Sequence, residues 1–463
     1  MPGGIPMPIS GAHVRRVAVI AFAALRLISY FINLPLLNGL CAVALLFVIS
    51  QAIPKLEKVT RTVVLGLFAL GALFLLLGQA SFGVWLEAWL KNASIATMLI
   101  CVPMLSMPFF YVDYQSELKI VTQTRMRTVF SFCALTAVCA HFLGVLISVG
   151  AVVIIYELFS PHAKMYNSED TFLATLLRSY SSSGFWSPAW TSMALINTQL
   201  RVSWLSLIPV GLLFSAIFIG MDLASVFWKI RRHPQNFQRL EATAGATVDQ
   251  RKLRAMLLLA VSLIGALILG NLLTPWDLLT IIPLVALLFP VAAALLQGHH
   301  QAYRQGMSQF YHKSLLSVQN QCALYTAAGF LGKALEAAGA GAVIPRLLPD
   351  WLVAYPVLMI GALLLLLILP ALAGIHPAVI ITVLLSAVTP AALGLDIMSL
   401  SLAMLTGCLL GTFLSPLTAT SLVLSGLCGR PSWTLGFGLN KVFCLVSVVV
   451  FSILIAAIGP LLA

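Results

Sequence analysis

The chain has 463 residues, of which 60% are hydrophobic and only 9% are charged. Charged residues make up about a quarter of a typical soluble domain, so this composition excludes a soluble globular protein. The formal net charge of +12 does not indicate nucleic-acid binding, because the basic residues cluster between long apolar stretches, as they do in the cytoplasmic loops of membrane proteins.

Long apolar stretches follow one another along the whole chain. They cover residues 17–30, 36–53, 62–79, 92–112, 128–159, 204–228, 255–273, 278–297, 351–372, 376–390 and 434–461. Uninterrupted apolar runs are typical of helices, since backbone polar groups in lipid must be paired within their own segment. The sequence therefore predicts an all-α polytopic membrane protein with about 10–12 segments that cross or enter the hydrocarbon core.

Basic residues predict which loops face the cytoplasm. The apolar run that begins near residue 17 contains Arg26 and lacks a cleavage site, so we expect a retained first helix. The longest polar stretch, residues 229–254, carries seven Lys and Arg residues against two acids. By the positive-inside rule this loop is cytoplasmic, as are the clusters around residues 15–16, 55–61 and 119–127. We predict a bacterial inner-membrane protein.

One unusual segment occurs twice. SGFWSPAWTSMALINTQLRVSW at 183–204 corresponds to GTFLSPLTATSLVLSGLCGRPSW at 411–433. When Phe185 is aligned with Phe413, Ser-Pro at Pro188 falls on Ser-Pro at Pro416. Proline lacks the backbone N–H and clashes with the preceding turn, so each Ser-Pro step predicts a helix break. Paired breaks of this kind are typical of transporter binding sites between two structural repeats.

A second pair precedes the first in the same order. CALTAVCAHFLGVLISVG at 133–150 resembles CALYTAAGFLGKALEAAG at 322–339, and each follows a polar stretch, at 111–127 and 299–313. The shared glycines could pack helices together or form re-entrant hairpin tips; we place tips at His141, Gly144, Gly332 and Lys333. The chain then divides into N-terminal membrane helices (1–60), a first repeat (61–228), the basic loop (229–254) and an inverted second repeat (255–463).

Hydroxyl side chains surround both predicted breaks. A broken helix leaves N–H groups unpaired at the start of its second half and carbonyls unpaired at the end of its first half. The former attract anions, and the latter can hold a cation. We therefore predict a solute site made by Ser183, Ser187, Thr191, Ser192, Ser415, Thr418, Thr420 and Ser421. The alternative is that these hydroxyls only join helices to one another.

Ionisable residues inside apolar stretches are further candidates, because a charge in the membrane is costly. They are Arg26, His141, Asp222, Asp277, Lys333, Glu336, His376, Asp396 and Lys441. His141 could carry a proton or be a hydrogen-bonded core residue. We expect Asp277 in an interfacial turn and Asp396 as a helix cap, with Arg201 and Arg430 anchoring helix ends. The eight cysteines show no metal or disulfide pattern and read as small core residues.

The order of these segments resembles the ion transporter superfamily, the secondary carriers that include dicarboxylate, citrate and arsenite permeases. AGIHPAVIITVLLSAVTPAALGLD, with Gly374, His376 and Pro377, is similar to the Gly-x-x-Pro helix start ahead of the second broken helix in those families. The Ser-Asn-Thr signature and the Gly-Thr-Pro-Pro-Asn loop are absent. The resemblance thus implies a secondary carrier over residues 60–463 without fixing its solute or its sodium dependence.

Enzyme signatures are missing from the sequence. There is no H-E-x-x-H, G-x-S-x-G or Walker lysine motif. We therefore expect no enzyme, no cofactor and no metal site, but a secondary active transporter that moves a small anion by alternating access. Na⁺ and H⁺ both stay open as coupling ion, a homodimer is compatible with the sequence, and the partners are the solute and the lipid bilayer. The alternatives are a channel, a structural membrane subunit or an intramembrane enzyme.

Overall fold

The computed structural model describes residues 11–32, 34–112, 128–234 and 249–462, and within these ranges the regular structure is helical without a strand. Nine helices of the described part are long and apolar enough to cross a membrane. They are Pro35–Lys55, Lys58–Leu77, Phe82–Phe110, Val129–Ile147, Trp204–Arg232, Gln250–Leu273, Leu278–Gln297, Ile397–Cys428 and Thr434–Leu462. The prediction of an all-α polytopic membrane protein is confirmed.

The α-helices are numbered here in chain order. Those before the basic loop are α1 Gly11–Phe31, α2 Pro35–Ala52, α3 Lys58–Leu77, α4 Phe82–Leu90, α5 Ala93–Leu105, α6 Val129–Ile147, α7 Gly150–Met165, α8 Glu169–Ser182, α9 Thr191–Leu200 and α10 Trp204–Arg232. Short 3₁₀ turns occupy Ile53–Lys55, Met107–Phe110 and Ser183–Phe185. The polar stretch at 113–127 and the loop centre at 235–248 lie outside the described residues, so their predicted roles stay predictions.

The helices after the loop are α11 Gln250–Leu273, α12 Leu278–Gln297, α13 His300–Gln309, α14 Leu315–Ser317, α15 Gln319–Ala337, α16 Ala340–Leu347, α17 Asp350–Ala354, α18 Pro356–Leu372, α19 Pro377–Ala387, α20 Ile397–Leu414, α21 Ala419–Cys428 and α22 Leu439–Leu462. Phe310–Ser314 and Thr434–Gly438 are π-helical, and Ala391–Leu393 is a 3₁₀ turn. As expected, Asp396 caps α20 by accepting a backbone hydrogen bond. Asp277, which was expected in an interfacial turn, caps α12 in the same way.

The predicted apolar stretch 128–159 forms two helices, α6 and most of α7. A Thr128 capping box starts α6, and the chain turns at Ser148, whose φ of 53° is left-handed. The corresponding helix of the second half, α15, is followed by a turn at Gly339, whose φ is 73°. Non-glycine residues rarely adopt this conformation, so the turn at Ser148 carried little sequence signal.

Two broken helices form the centre of the molecule. The first consists of α8 and α9, the second of α20 and α21, and the chain between the halves contains Pro188 or Pro416. The spans 169–200 and 397–428 match position for position when Phe185 is aligned with Phe413. Each ends on a left-handed residue at the same aligned position, Arg201 with φ 56° and Gly429 with φ 70°.

Both breaks are packed closely by a glycine on the helix that follows. A methyl group at Gly211 of α10 would collide with the Phe185 carbonyl of the first break. At Gly436 it would lie 2.6 Å from the Leu414 carbonyl of the second break. Only glycine lets the backbones approach this closely, as is common between membrane helices. The two breaks are therefore supported in the same way.

The two broken helices cross each other. Gly184 of the first lies against Leu409 of the second, and α8 packs against α20. The rings of Phe185 and Phe413 both contact Phe218, with centroid distances of 6.0 and 5.8 Å. The breaks thus share one aromatic core.

The second half of each broken helix packs against the other half of the chain. Helix α9 contacts mainly α19, α20 and α12, and α21 contacts α7. The Thr191 hydroxyl at the start of α9 lies beside the Tyr325 phenol of α15. The two halves of the chain are therefore interlocked and not merely adjacent.

Candidate functional site

The hydroxyls at the first break are buried, and two of them lack a conventional partner. Ser183 Oγ donates to the Tyr180 carbonyl at 2.7 Å and accepts from Trp190 Nε1 at 3.1 Å. Ser187 Oγ is fully buried and has no hydrogen-bond partner among the described residues. Ser192, at 2% exposure, finds only the Cys408 thiol, which is a weak partner. A buried unpaired hydroxyl costs about 1–3 kcal/mol, so these two are candidates for ligand contact.

The hydroxyls at the second break bind one another and the backbone. Ser415 Oγ donates to the Ala371 carbonyl at 2.5 Å. Thr418 Oγ1 donates to the Thr412 carbonyl at 3.1 Å and lies 3.2 Å from Thr420 Oγ1 and 3.1 Å from Ser421 Oγ. Ser421 Oγ in turn donates to the Ser415 carbonyl at 2.7 Å. This closed cluster shapes the break from within.

The hydroxyls of the first break and those of the second break lie in one core, but they are not directly hydrogen-bonded to each other in the described residues. Ser192 reaches α20 at Cys408, seven positions before Ser415 in the sequence. Among the described residues, no hydrogen bond links a hydroxyl of the first break to a hydroxyl of the second. Their convergence on one solute stays a prediction.

His141 is a hydrogen-bonded core residue with a fixed tautomer. Trp186 Nε1 can only donate, and it lies 3.1 Å from His141 Nε2. The proton therefore sits on Nδ1, which is 2.8 Å from Ser182 Oγ, and that hydroxyl donates to the Ser179 carbonyl at 2.7 Å. Protonating Nε2 would break the bond from Trp186, so this geometry does not favour a proton carrier.

The predicted hairpin tips need correction. His141 and Gly144 lie within α6, and Gly332 and Lys333 lie within α15; these helices continue to Ile147 and Ala337. Gly144 packs against Ser183 and Tyr180, whereas Gly332 packs against Ser386 and Thr382 of α19. Lys333 forms ion pairs with Glu87 and Glu336 at 3.1 and 3.0 Å. The repeated glycines are helix contacts, which was the alternative left open.

Sequence reasoning missed one charged group at the centre of the molecule, Arg178. Its NH1 lies 2.8 Å from Asp222 Oδ1, and the two side chains are 5% and 0% exposed. Nε donates to Asn440 Oδ1 at 2.7 Å, and NH2 donates to the Leu439 carbonyl at 3.0 Å. The guanidinium also lies over the Phe443 ring, 4.2 Å from its centroid. Asp222 was a candidate, but its basic partner lies in the polar segment EDTFLATLLRSYSS and not in an apolar run.

Arg430 and Arg26 have partners elsewhere in the chain. Arg430 pairs with Asp170 and Glu169 at the start of α8, and the hydrogen bond to Asp170 raises the pKa of Arg430. Arg26 donates to Ser94 Oγ. The cysteines are free and mostly buried. In the part of the chain that the structure describes, no group of three His, Cys, Asp or Glu residues is placed to hold a metal ion.

Comparisons with known proteins give little beyond this geometry. No protein-family model matches the chain, and no curated protein matches it. Among solved structures, the crystal structure of the YdaH transporter from Alcanivorax borkumensis aligns with a TM-score of 0.49 and 15% sequence identity, over 87% of this chain and 98% of that chain. At this level of similarity, neither a solute nor a mechanism can be transferred to this protein.

Proposed function

We propose that this chain is a secondary active transporter that moves a small anion across the bacterial inner membrane by alternating access, coupled to Na⁺ or H⁺. The observation that carries the proposal is the pair of broken helices that cross in the core at matched positions. A break at membrane depth leaves backbone groups unpaired, and this is tolerated where they are buried in protein or line a cavity. Transporters use such breaks to bind solute and coupling ion.

The chemistry at the breaks favours an anion. Helices α9 and α21 begin there, and their first N–H groups carry the positive end of the helix dipole. Ser187 and Ser192 bring hydroxyl donors that lack a conventional partner in the described residues. A bound carboxylate or oxyanion would accept from these donors without needing a buried lysine or arginine.

Sodium is the favoured coupling ion in this proposal. Hydroxyl and carbonyl oxygens are suitable ligands for a hard cation, and the second break brings together the hydroxyls of Thr418 and Ser421 and the Ser415 carbonyl to which both donate. A proton relay would need a side chain that can change its protonation. His141 is fixed as the neutral tautomer by Trp186 and Ser182, so it supports the sodium version rather than the proton version.

The experiment has two steps. Purified protein is first melted in the presence of a panel of carboxylates, inorganic oxyanions and cations, since a ligand that binds only the folded state raises the apparent stability. The stabilising anion is then used in radiolabelled form for uptake into proteoliposomes. Uptake that saturates and follows an imposed Na⁺ or H⁺ gradient supports the proposal. Flux without saturation identifies a channel, and chemical conversion without flux identifies an enzyme.

A further inference from the structure

A cavity of about 470 Å³ lies away from both breaks, where α9 ends between the two halves of the chain. Its walls come from α9 and the α4–α5 junction on one side, and from α12, α15 and α19 on the other. We call it the Arg201 cavity, after the residue that ends α9. Cavities of a few hundred Å³ in which a few polar groups converge are typical of small-molecule sites.

Among the described residues that line this cavity, the cation of Arg201 has no acidic partner. Lys91 and Glu336 line it and pair with each other at 3.1 Å. Glu336 is also bound by Lys333 at 3.0 Å, so its negative charge is compensated. In the described ranges, the Arg201 side chain has neither an ion pair nor a hydrogen bond. The cavity therefore has an excess of positive charge at Arg201.

Arg201 can be compared with Arg430, the corresponding arginine at the end of the second broken helix. In the second broken helix, Arg430 follows the left-handed Gly429 and pairs with the two acids that begin α8, Glu169 and Asp170. The residues that begin α20 in the equivalent place are Ile397 and Met398, which offer no acid. Asp396, which precedes them, is already bound to Ser399 N and Oγ at 2.7 and 2.5 Å. The position that anchors a helix in one half is thus left open in the other.

Two acceptor atoms in the same cavity are also unsatisfied. Gln199 Oε1 and Thr198 Oγ1 are buried and have no hydrogen-bond partner among the described residues, and both residues line the cavity. An amide oxygen can only accept, so it lacks an N–H or O–H donor here. The remaining wall combines the aliphatic side chains of Ile95, Leu195, Leu279 and Leu385 with the polar side chains of Asn92 and Ser386. An anionic group, a donor and an apolar body are therefore all accommodated in one space.

We propose that the Arg201 cavity is a binding site for a small organic carboxylate that carries a hydroxyl or N–H donor next to an apolar body. The carboxylate binds Arg201, with Lys91 beside it. The donor binds Gln199 Oε1, and the apolar body packs on the aliphatic wall. This site is separate from the hydroxyls at the breaks, so it stands whether or not the chain transports an anion.

The test measures binding to the purified full-length protein in detergent, by thermal stabilisation and intrinsic tryptophan fluorescence. The probes are mandelate and 3-phenyllactate, with mandelamide lacking the charge and phenylacetate lacking the donor. We expect mandelate or 3-phenyllactate to bind, phenylacetate to bind more weakly and mandelamide not to bind. Arg201→Asn should weaken binding by about tenfold or more, because a charge-assisted hydrogen bond is lost. Asparagine tolerates the left-handed conformation at this position, so the helix end is preserved.

Controls keep the result specific to the cavity. Arg430→Asn removes the corresponding cation of the other half and should leave binding unchanged. Gln199→Leu removes only the acceptor, so the two hydroxy acids should bind to this variant no better than phenylacetate does. The same variant tests the proposal if Arg201→Asn does not fold. The proposal is overturned if neither hydroxy acid binds the wild type, if mandelamide binds as well as mandelate, or if Arg201→Asn and Gln199→Leu both bind like the wild type. Whether the bound hydroxy acid is also taken up into proteoliposomes does not bear on this site, and failure of the proposed transport function is recognised separately, when no anion that stabilises the protein is taken up.

Discussion

The buried pair of Arg178 and Asp222 gives the sharpest test of how the core is held together. We consider Asp222→Asn, which keeps the shape of the side chain and removes its charge. The carboxylate is 0% exposed and the guanidinium side chain 5% exposed, so the cation left behind is far from water. Removing one partner of a buried ion pair costs about 3–5 kcal/mol.

The contacts that Arg178 keeps place the expected loss of stability near the lower end of this range. Arg178 keeps its hydrogen bonds to Asn440 and the Leu439 carbonyl and its position over Phe443. We expect a loss of about 3 kcal/mol, which is roughly a 150-fold change in the unfolding equilibrium. The double variant Arg178→Met, Asp222→Leu removes both charges, and apolar replacements of buried pairs are often neutral. Asn440 Oδ1 and the Leu439 carbonyl lose their Arg178 donor in this variant, at about 1 kcal/mol each, so it should lose about 2 kcal/mol, less than Asp222→Asn.

The assay is equilibrium unfolding in mixed micelles with increasing SDS, followed by tryptophan fluorescence and circular dichroism. Glu87→Gln is the matched control, because it weakens an ion pair with Lys333 in which the carboxylate is 66% exposed. Such pairs contribute about 0–1 kcal/mol. The reasoning is refuted if Asp222→Asn unfolds like the control, or if the double variant is as unstable as the single one.

Three further outcomes are expected. Ser187→Ala should leave the ligand-free protein as stable as before or more stable, because the lost hydroxyl has no described partner, and it should weaken anion affinity by about tenfold. Thr420→Val should instead lower stability by about 1 kcal/mol, because its hydrogen bond to Thr418 is lost. Equal effects of the two variants on the melting temperature would contradict this distinction. Gly211→Ala should destabilise by about 1–3 kcal/mol because its methyl meets the Phe185 backbone, whereas Gly220→Ala on the same helix has open space and should be neutral in the same SDS titration. Uptake into proteoliposomes should fall in sodium-free buffer across several pH values, and undiminished, strongly pH-dependent uptake would reject sodium coupling.

The sequence predicted the breaks because the same Ser-Pro segment occurs twice. Proline alone would not have been enough, since Pro209 and Pro283 lie inside continuous helices. The turn at Ser148 depends on a left-handed conformation that serine rarely adopts, and it was missed. Gly144 and Gly332 are repeated in sequence but pack against different elements, which no local pattern reveals.

Pairing between distant residues was also beyond the sequence. Arg178 reads as one charge in a polar segment until α10 and α22 bring Asp222 and Asn440 beside it. The Arg201 cavity is equally non-local, since its walls come from five separate parts of the chain. Hydroxyls could be named as candidates, but their hydrogen bonds decided which are satisfied by the protein itself. Sequence thus located the hydroxyls at the breaks but not their hydrogen-bond partners.

Because α9 packs against helices of the other half of the chain, its contacts can form only late in synthesis. Its main contacts, α19 and α20, leave the ribosome about 200 residues later, which at roughly 5–20 residues per second is a delay of about 10–40 s. During that interval Phe413 of the second break is not yet present to complete the aromatic core around Phe185. The backbone groups that the first break leaves unpaired stay unpaired in the membrane. A first half synthesised alone would never complete its own core, so quality control in the cell would act on the whole chain and not on its halves.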